Sequence, residues 1–253
     1  TEVNVETQDV PGAPDQVDLV VNVTEKPTGS LQLGAGFSSA EKVALSFGIK
    51  QENFFGSGNY LGIDVNTSKY RRTLVFSTTN PYFTQDGISR TVDLYYRTDK
   101  PYEDQGGNYE LVTTGASMRF GIPFSETDTV FFGGGFEQTQ IKAGTNIPAT
   151  YLAYANTYGA TSNSIPLTVG WSRDDRDSAL APNSGRYQRL NSEWSVAGDA
   201  RYVRGNYQYQ QYIPLNKRFT VAFNGELGYG KGLNGRPFPV FKNFYSGGLG
   251  SVR

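Results

Sequence analysis

Apolar and polar residues alternate with a period of two along most of the chain after residue 28. Such alternation predicts β-strands that place apolar side chains on one face and polar side chains on the other. About eleven strands of roughly 8–11 residues follow one another. Their centres are residues 31–37, 43–49, 61–65, 72–79, 92–96, 116–120, 130–136, 165–171, 189–194, 207–213 and 219–227.

The first 27 residues have a pattern of their own. Residues 3–7 alternate, a connection containing Pro11 and Gly12 follows, and residues 17–25 form a second apolar run. Two strands around a Pro/Gly connection predict a β-hairpin. Because an isolated hairpin is marginally stable, we expect residues 1–27 to be the end of a domain that starts upstream. Residues 28–253 then form a second, all-β unit.

Alternation alone does not tell whether the apolar face is the core of a soluble sandwich or contacts lipid. The connections are more informative. Those near residues 53–59, 81–87 and 123–128 are short, whereas those over residues 98–108 and 142–164 are long. Short turns at one end and long loops at the other are typical of outer-membrane barrels. The chain is therefore predicted to be a transmembrane antiparallel β-barrel.

The composition excludes several classes of function. The chain has no cysteine and no histidine, which removes disulfides, thiolate or imidazole metal sites and the Ser-His-Asp triad. A net charge of -1 gives no positive field for nucleic acid. With 17 Tyr, 16 Phe, 30 Gly and one Met, the composition is unlike a soluble core. We expect no enzyme activity, no cofactor, no metal and no nucleic-acid partner.

Two motifs that could suggest ligand sites are interpreted as structural. Residues 230–235 match G-x-G-x-x-G, but no βαβ unit surrounds them, as dinucleotide binding requires. The carboxylates of Asp174, Asp175 and Asp177 lack the spacing of a calcium loop. They are predicted to stabilise a turn.

Several stretches, in matching order, resemble the BamA family of outer-membrane assembly proteins. Residues 10–19 are similar to the last hairpin of the final POTRA domain, and residues 51–58 and 80–87 resemble the first two periplasmic turns. Residues 237–245 resemble the segment before the sixth-loop motif. Residues 244–253 resemble the sixth loop itself, which in the family runs up to a Val-Arg-Gly-aromatic motif. The likeness is to the Neisseria-like β-proteobacterial branch.

The resemblance implies a barrel of sixteen strands, of which this chain holds roughly the first eleven, preceded by a POTRA hairpin at residues 1–27. It implies the central subunit of the machinery that folds and inserts outer-membrane proteins through a lateral gate, without ATP. The implied partners are unfolded outer-membrane proteins, lipoproteins that bind POTRA domains, outer-membrane lipids and lipopolysaccharide, and, indirectly, periplasmic chaperones. The implied location is the outer membrane, with the N-terminal segment in the periplasm.

The first barrel strand is implied to be one side of the gate. An open edge strand exposes unpaired N–H and C=O groups, which can template a new strand. Glycines in such a strand weaken its pairing, although they can also merely relieve crowding inside a barrel. The gate residues are Ser30, Leu31, Gln32, Leu33, Gly34, Ala35, Gly36 and Phe37.

The sixth-loop motif is the second implied site. In the family its arginine folds into the barrel lumen and pairs with acidic residues, as a buried guanidinium requires. Glu137, Glu193 and Glu226 are candidate neighbours of that arginine within this chain. The motif residues are Gly247, Gly248, Gly250, Val252 and Arg253.

Two other functions remain open. A translocation pore of the same superfamily, of the two-partner secretion or autotransporter-assembly type, shares the loop motif, so a secretion assay is needed to separate it from an assembly factor. An outer-membrane barrel enzyme needs a clustered nucleophile and base. The lack of histidine counts against the enzyme.

Overall fold

The computed structural model describes residues 2–9, 11–12, 16–24, 27–38, 42–100, 108–216 and 218–244. Within these ranges the chain is almost entirely antiparallel β-structure. Strands β1 (Glu2–Asp9) and β2 (Val17–Thr24) pair as the predicted hairpin, from Glu2 opposite Thr24 to Asp9 opposite Val17. The other strands form a separate 11-stranded sheet.

In the 11-stranded sheet every strand pairs with the strands that precede and follow it in the sequence. The strands are β3 (Gly29–Ser38), β4 (Lys42–Gln51), β5 (Tyr60–Thr67), β6 (Arg71–Asn80), β7 (Ser89–Asp99), β8 (Asn108–Pro123), β9 (Asp128–Asn146), β10 (Thr161–Asp174), β11 (Gly185–Gly198), β12 (Tyr202–Pro214) and β13 (Thr220–Gly232). Strands β3 and β13 are therefore the two edges of the sheet. The eleven predicted strands are confirmed.

The later strands are longer than predicted. Strands β8 and β9 have 16 and 19 residues, because the pairing continues through polar residues past the apolar stretch. The long connection predicted at residues 142–164 contains the end of β9 and a helix, α1 (Ala149–Tyr158), which the alternation did not reveal. Short 3-10 helices lie at Phe54–Gly56 and Val240–Lys242. In the described ranges, no helix has the length and hydropathy needed to cross a membrane.

The Asp cluster after β10 has the predicted turn role. The carboxylate of Asp174 pairs with Arg176 at 2.7 Å, and that of Asp175 pairs with Arg186 at 2.9 Å. Asp177 accepts the backbone N–H groups of Asn183 and Ser184 at 2.9 and 3.2 Å. These backbone donors lower the pKa of Asp177 below its ordinary value. The carboxylates thus stabilise the β10–β11 connection.

The sheet has one apolar face and one polar face. Residues that lie directly opposite each other on paired strands share a face, so the register assigns each side chain to one side. On the outer face Leu33 is 75% exposed and Leu227 is 73% exposed. No second layer of the described elements covers this face. So extensive an uncovered apolar surface fits a wall that contacts lipid, and it does not fit a soluble sandwich.

The opposite, polar face is called the lumenal face below. One buried apolar cluster on this face consists of Ile141, Tyr151 and Tyr154, and in it α1 packs against β9. Much of the remaining lumenal face carries hydroxyl, amide and charged side chains. The core therefore lies inside the curved sheet, at the end where α1 lies.

We predict that a charge on the outer face destabilises the protein much more than the same charge on the lumenal face. Met118 and Ser117 are neighbours on β8 with opposite orientations, and Ser117 lies opposite Asp93. Met118→Arg should lower the free energy of unfolding in lipid vesicles by about 2 kcal/mol, the typical cost of arginine near the bilayer midplane. Ser117→Arg is the matched control and should change it by less than about 1 kcal/mol. Equal effects of the two substitutions would contradict the assignment of the faces.

Candidate functional site

All eight predicted gate residues lie on β3, at the edge of the sheet. Every residue of β3 is exposed, including Leu33 at 75% and Phe37 at 78%. The register with β4 runs from Gly29 opposite Gln51 to Ser38 opposite Lys42. The side chains of Leu31, Leu33, Ala35 and Phe37 therefore share the outer face, and those of Ser30, Gln32, Gly34 and Gly36 share the lumenal face.

The phase of the hydrogen bonds identifies the free backbone groups of β3. The N–H of Glu52 donates to the carbonyl of Thr28 at 2.9 Å. In an antiparallel pair the residues that bond to one neighbour alternate with those that face away. Residues with even numbers in β3 thus bond to β4, whereas the N–H and C=O groups of Leu31, Leu33 and Ala35 point away from it. Among the described residues no strand pairs with them.

The two glycines of the gate strand have different surroundings. A Cβ atom added at Gly34 would meet the hydroxyl of Ser46, whereas one added at Gly36 would meet nothing within 4 Å. Crowding therefore does not require glycine at position 36. Glycine in a strand weakens its packing, and the role of β3 as one side of a gate stays a prediction.

The residues of the predicted sixth-loop motif, from Gly247 to Arg253, lie outside the described residues. The structure follows the loop as far as Phe244. After β13 the chain turns back over the lumenal face, and this stretch, residues 236–244, is called the return segment.

The return segment places a lysine between two carboxylates of the barrel wall. The Nζ of Lys242 lies 2.8 Å from Glu137 on β9 and 3.0 Å from Glu193 on β11. The Lys242 side chain is 13% exposed, and that of Glu137 is 11% exposed. One buried ammonium thus holds together two strands that are not neighbours in the sheet.

Two tyrosines complete this charged cluster. Tyr95 on β7 donates its hydroxyl hydrogen to Glu137 at 3.0 Å, and the hydroxyl of Tyr202 on β12 donates to Glu193. The Tyr95 ring reaches Glu137 by lying over Gly115, where an added Cβ would come within 2.5 Å of the ring. Glycine at position 115 is therefore a condition of this contact.

The electrostatics keep Lys242 charged. Burial by itself lowers the pKa of Lys242, but the negative charges of Glu137 and Glu193 outweigh burial and raise that pKa above its ordinary value. Removing one partner of a buried ion pair is costly because it leaves an uncompensated charge. The cluster of Lys242, Glu137 and Glu193 is called the lumenal anchor below.

Glycines on β13 make room for the return segment. Gly228, Gly230 and Gly232 alternate with outward side chains and share the lumenal face with Arg204 and Asn206 of β12. A Cβ at Gly228 would strike the ring of Phe244, and one at Gly230 would come within 2.7 Å of atoms in the Phe238 ring. The G-x-G-x-x-G motif thus has a packing role.

Helix α1 covers the return segment on its other side. The hydroxyl of Tyr151 donates to the carbonyl of Val240 at 3.3 Å. The rings of Tyr154 and Phe241 meet edge to face at 5.8 Å, a favourable geometry for aromatic pairs. Helix and return segment form one plug inside the sheet, which the anchor ties to the wall.

The sequence did not reveal the lumenal anchor. In the structure Glu137 and Glu193 pair with Lys242, and Glu226 is exposed on β13. Because Arg253 lies outside the described residues, the expectation that these three carboxylates lie near it stays a prediction. The sequence offered one signal for the anchor. Lys242 interrupts an otherwise apolar stretch, residues 237–241 and 244, and two earlier strands, β9 and β11, each carry a lumenal glutamate.

Comparisons with known proteins place this fold. The Omp85 superfamily domain model matches residues 53–253. The chain belongs to the Omp85 superfamily. Outer membrane protein assembly factor BamA of Neisseria meningitidis serogroup B is 35% identical over 264 residues, which cover 99% of this Omp85 chain and 33% of the relative. BamA of Nitratidesulfovibrio vulgaris is 29% identical over 244 residues, which cover 94% of this chain and 30% of the relative. The chain spans about a third of the length of these relatives.

Solved structures agree with the relatives. The crystal structure of BamA from Haemophilus ducreyi lacking POTRA domains 1–3 matches the Omp85 chain with a TM-score of 0.84 at 26% identity, covering 100% of this chain and 50% of that one. CdiB from Acinetobacter baumannii matches with a TM-score of 0.59 at 14% identity, and the match covers 100% of this chain and 48% of CdiB. The BamA match confirms the predicted barrel fold and the resemblance to that family. The CdiB match shows the fold alone.

We predict that Lys242→Met lowers the free energy of unfolding by about 3 kcal/mol, because it leaves Glu137 and Glu193 buried without a cation. Unfolding of the purified protein in detergent, followed by tryptophan fluorescence, measures this loss. Lys231→Met is the matched control, since Lys231 is exposed at the end of β13, and it should have little effect.

The triple variant Lys242→Met, Glu137→Gln, Glu193→Gln separates charge from packing. It should recover much of the lost stability, because no charge remains buried. If the triple variant is as unstable as Lys242→Met alone, the anchor acts through packing and the electrostatic account is wrong.

Proposed function

We propose that this chain is part of the central subunit of an outer-membrane β-barrel assembly machinery, which folds and inserts outer-membrane proteins. The observation that supports this function most directly is the similarity to curated relatives named outer membrane protein assembly factor. The register adds the place where another strand can pair, because the backbone groups of Leu31, Leu33 and Ala35 face away from β4. Because the chain spans about a third of those relatives, the activity would belong to the whole protein.

The proposed mechanism needs strand pairing and no covalent chemistry. An unpaired edge offers hydrogen-bond donors and acceptors to any extended chain, whatever its side chains. Leaving such groups unpaired in lipid costs several kcal/mol each, so an incoming strand is stabilised as soon as it pairs. The free energy of pairing replaces ATP in this scheme, and we propose no catalytic centre.

The partners follow from the same scheme. The substrates are unfolded outer-membrane proteins, and the outer face contacts outer-membrane lipids and lipopolysaccharide. We assign the β1–β2 hairpin, at residues 1–27, to a periplasmic POTRA domain. Lipoprotein partners would bind through such domains, and periplasmic chaperones would act indirectly by delivering substrates.

A translocation pore of the same superfamily is the second candidate, because the match to the Omp85 superfamily domain does not separate the two functions. The two functions differ in the final location of the substrate protein. An assembly factor leaves its substrate folded in the membrane, whereas a pore releases it on the other side. Liposomes with trapped protease, or a secretion assay in cells, distinguish these outcomes.

We predict that Ala35→Pro slows insertion while the protein still folds. Proline removes the N–H of Ala35, which faces away from β4, and an edge strand tolerates proline at such a position. The full-length protein, reconstituted in liposomes, is given an unfolded porin, and the appearance of folded porin is measured. One lost backbone hydrogen bond, about 1 kcal/mol, corresponds to a rate roughly 5-fold lower.

Two controls make this experiment specific. Ala35→Val retains the N–H and should insert the porin at the normal rate. Gly34→Pro removes a donor that bonds to β4, so it should destabilise the β3–β4 pair itself. The proposed function fails if liposomes with the unmodified protein fold the porin no faster than empty liposomes. The edge mechanism fails if Ala35→Pro behaves like Ala35→Val.

A further inference from the structure

A polar cavity on the lumenal face lies beside the lumenal anchor and shares Glu193 with it. It has a volume of about 350 Å³ and lies between β8, β10, β11 and β12. Gly170 on β10 lies opposite Asn191 on β11, and a side chain at position 170 would come within 3.0 Å of the Asn191 side-chain oxygen. Because Gly170 has no side chain, the space above this part of the sheet stays open and forms the cavity.

Three arginines line the cavity: Arg119 from β8, Arg189 from β11 and Arg204 from β12. Arg204 lies directly opposite Glu193 on the neighbouring strand. Glu193, the carboxylate in the cavity lining, is already bonded to Lys242 at 3.0 Å and to the hydroxyl of Tyr202. The positive charge of the cavity is therefore not matched by its own wall.

The guanidinium groups lack acceptors in the part of the chain that the structure describes. None of the three forms an ion pair within 4.0 Å there. The Nε of Arg204 is buried without a hydrogen-bond partner, and Arg189 has only a long bond of 3.4 Å to Asn191. Arg119 and Arg189 are exposed to the lumen, whereas the Nε of Arg204 is a buried donor, and leaving a buried donor without an acceptor is costly. An acceptor in this cavity would therefore be favoured, chiefly by Arg204.

The surroundings strengthen the positive potential. Protein walls of low dielectric concentrate the field of the charges that line a recess, and here three arginines outnumber one glutamate. Arginine presents several N–H donors in a planar fork that matches carboxylate and phosphate oxygens. Thr168 and Asn206 add neutral polar groups to the lining.

We propose that this cavity is an oxyanion-binding site, in which Arg119, Arg189 and Arg204 hold a carboxylate or a phosphate. The oxyanion is either a free ion or ligand group from outside, or an acidic side chain of the same protein. Arg204 also stacks on Phe244 of the return segment at 4.4 Å. The bound anion thus contacts the arginine that supports the plug.

The test uses the full-length protein in detergent and the double variant Arg119→Gln, Arg189→Gln. Arg218→Gln is the matched control, because Arg218 is exposed in the β12–β13 turn. Calorimetric titration with sodium phosphate, against sodium chloride of equal ionic strength, detects an external anion. We expect the unmodified protein and the control to bind phosphate, and the double variant to bind at least tenfold more weakly.

Melting temperatures distinguish the internal source. If an acidic side chain occupies the cavity, phosphate does not bind, and the double variant melts below the control at pH 7. That difference should shrink as the pH falls below about 4, the ordinary pKa of a carboxyl group. It should vanish only when the pH is also below the lowered pKa of the carboxylate that the arginines stabilise in the folded protein. The proposal is overturned if phosphate binds equally to the double variant, or if phosphate does not bind and the double variant melts at or above the control temperature.

Discussion

Backbone hydrogen bonding is the constraint on which the structure depends. In lipid no water pairs with an exposed N–H or C=O group, so a chain that crosses with strands must pair each strand with a neighbour. The meander from β3 to β13 does this with consecutive strands, and in the described ranges only β3 and β13 have a neighbour on one side alone. The same rule that builds the wall makes its edge reactive toward another strand. Stability and the proposed activity thus have one physical origin.

The interior follows a different rule. There the side chains face a space that water or the protein itself can fill, and charges are admissible if they are paired. The return segment uses this freedom: it replaces water over the glycines of β13 and supplies the ammonium that neutralises Glu137 and Glu193. Polar residues on the lumenal face are therefore sorted into solvated positions, paired positions and the arginine cavity.

The sequence predicted the wall well and the interior poorly. Period-two alternation identified eleven strands because successive side chains of a strand point alternately to lipid and to the lumen, and so must be alternately apolar and polar. Helix α1 was missed because it is short, lies within a connection between strands, and does not concentrate its hydrophobic residues on one face. The anchor was missed because Glu137 and Glu193 are distant in sequence from Lys242, and alternation shows only that they face the lumen. The resemblance to a known family located the predicted gate strand. The finding that the N–H of Ala35 faces away from β4 needed the strand register, which only the structure provides.

The anchor also has a consequence for the order of folding. The ammonium of Lys242 meets a carboxylate on β11, 49 residues earlier, and another on β9, which is earlier still. Contacts between distant residues pay the entropy of closing a long loop before they return any energy. We therefore expect the plug to gain its charge partners only after strands β9 to β13 have paired. The interior would then form after the wall, whereas a soluble domain collapses around its core.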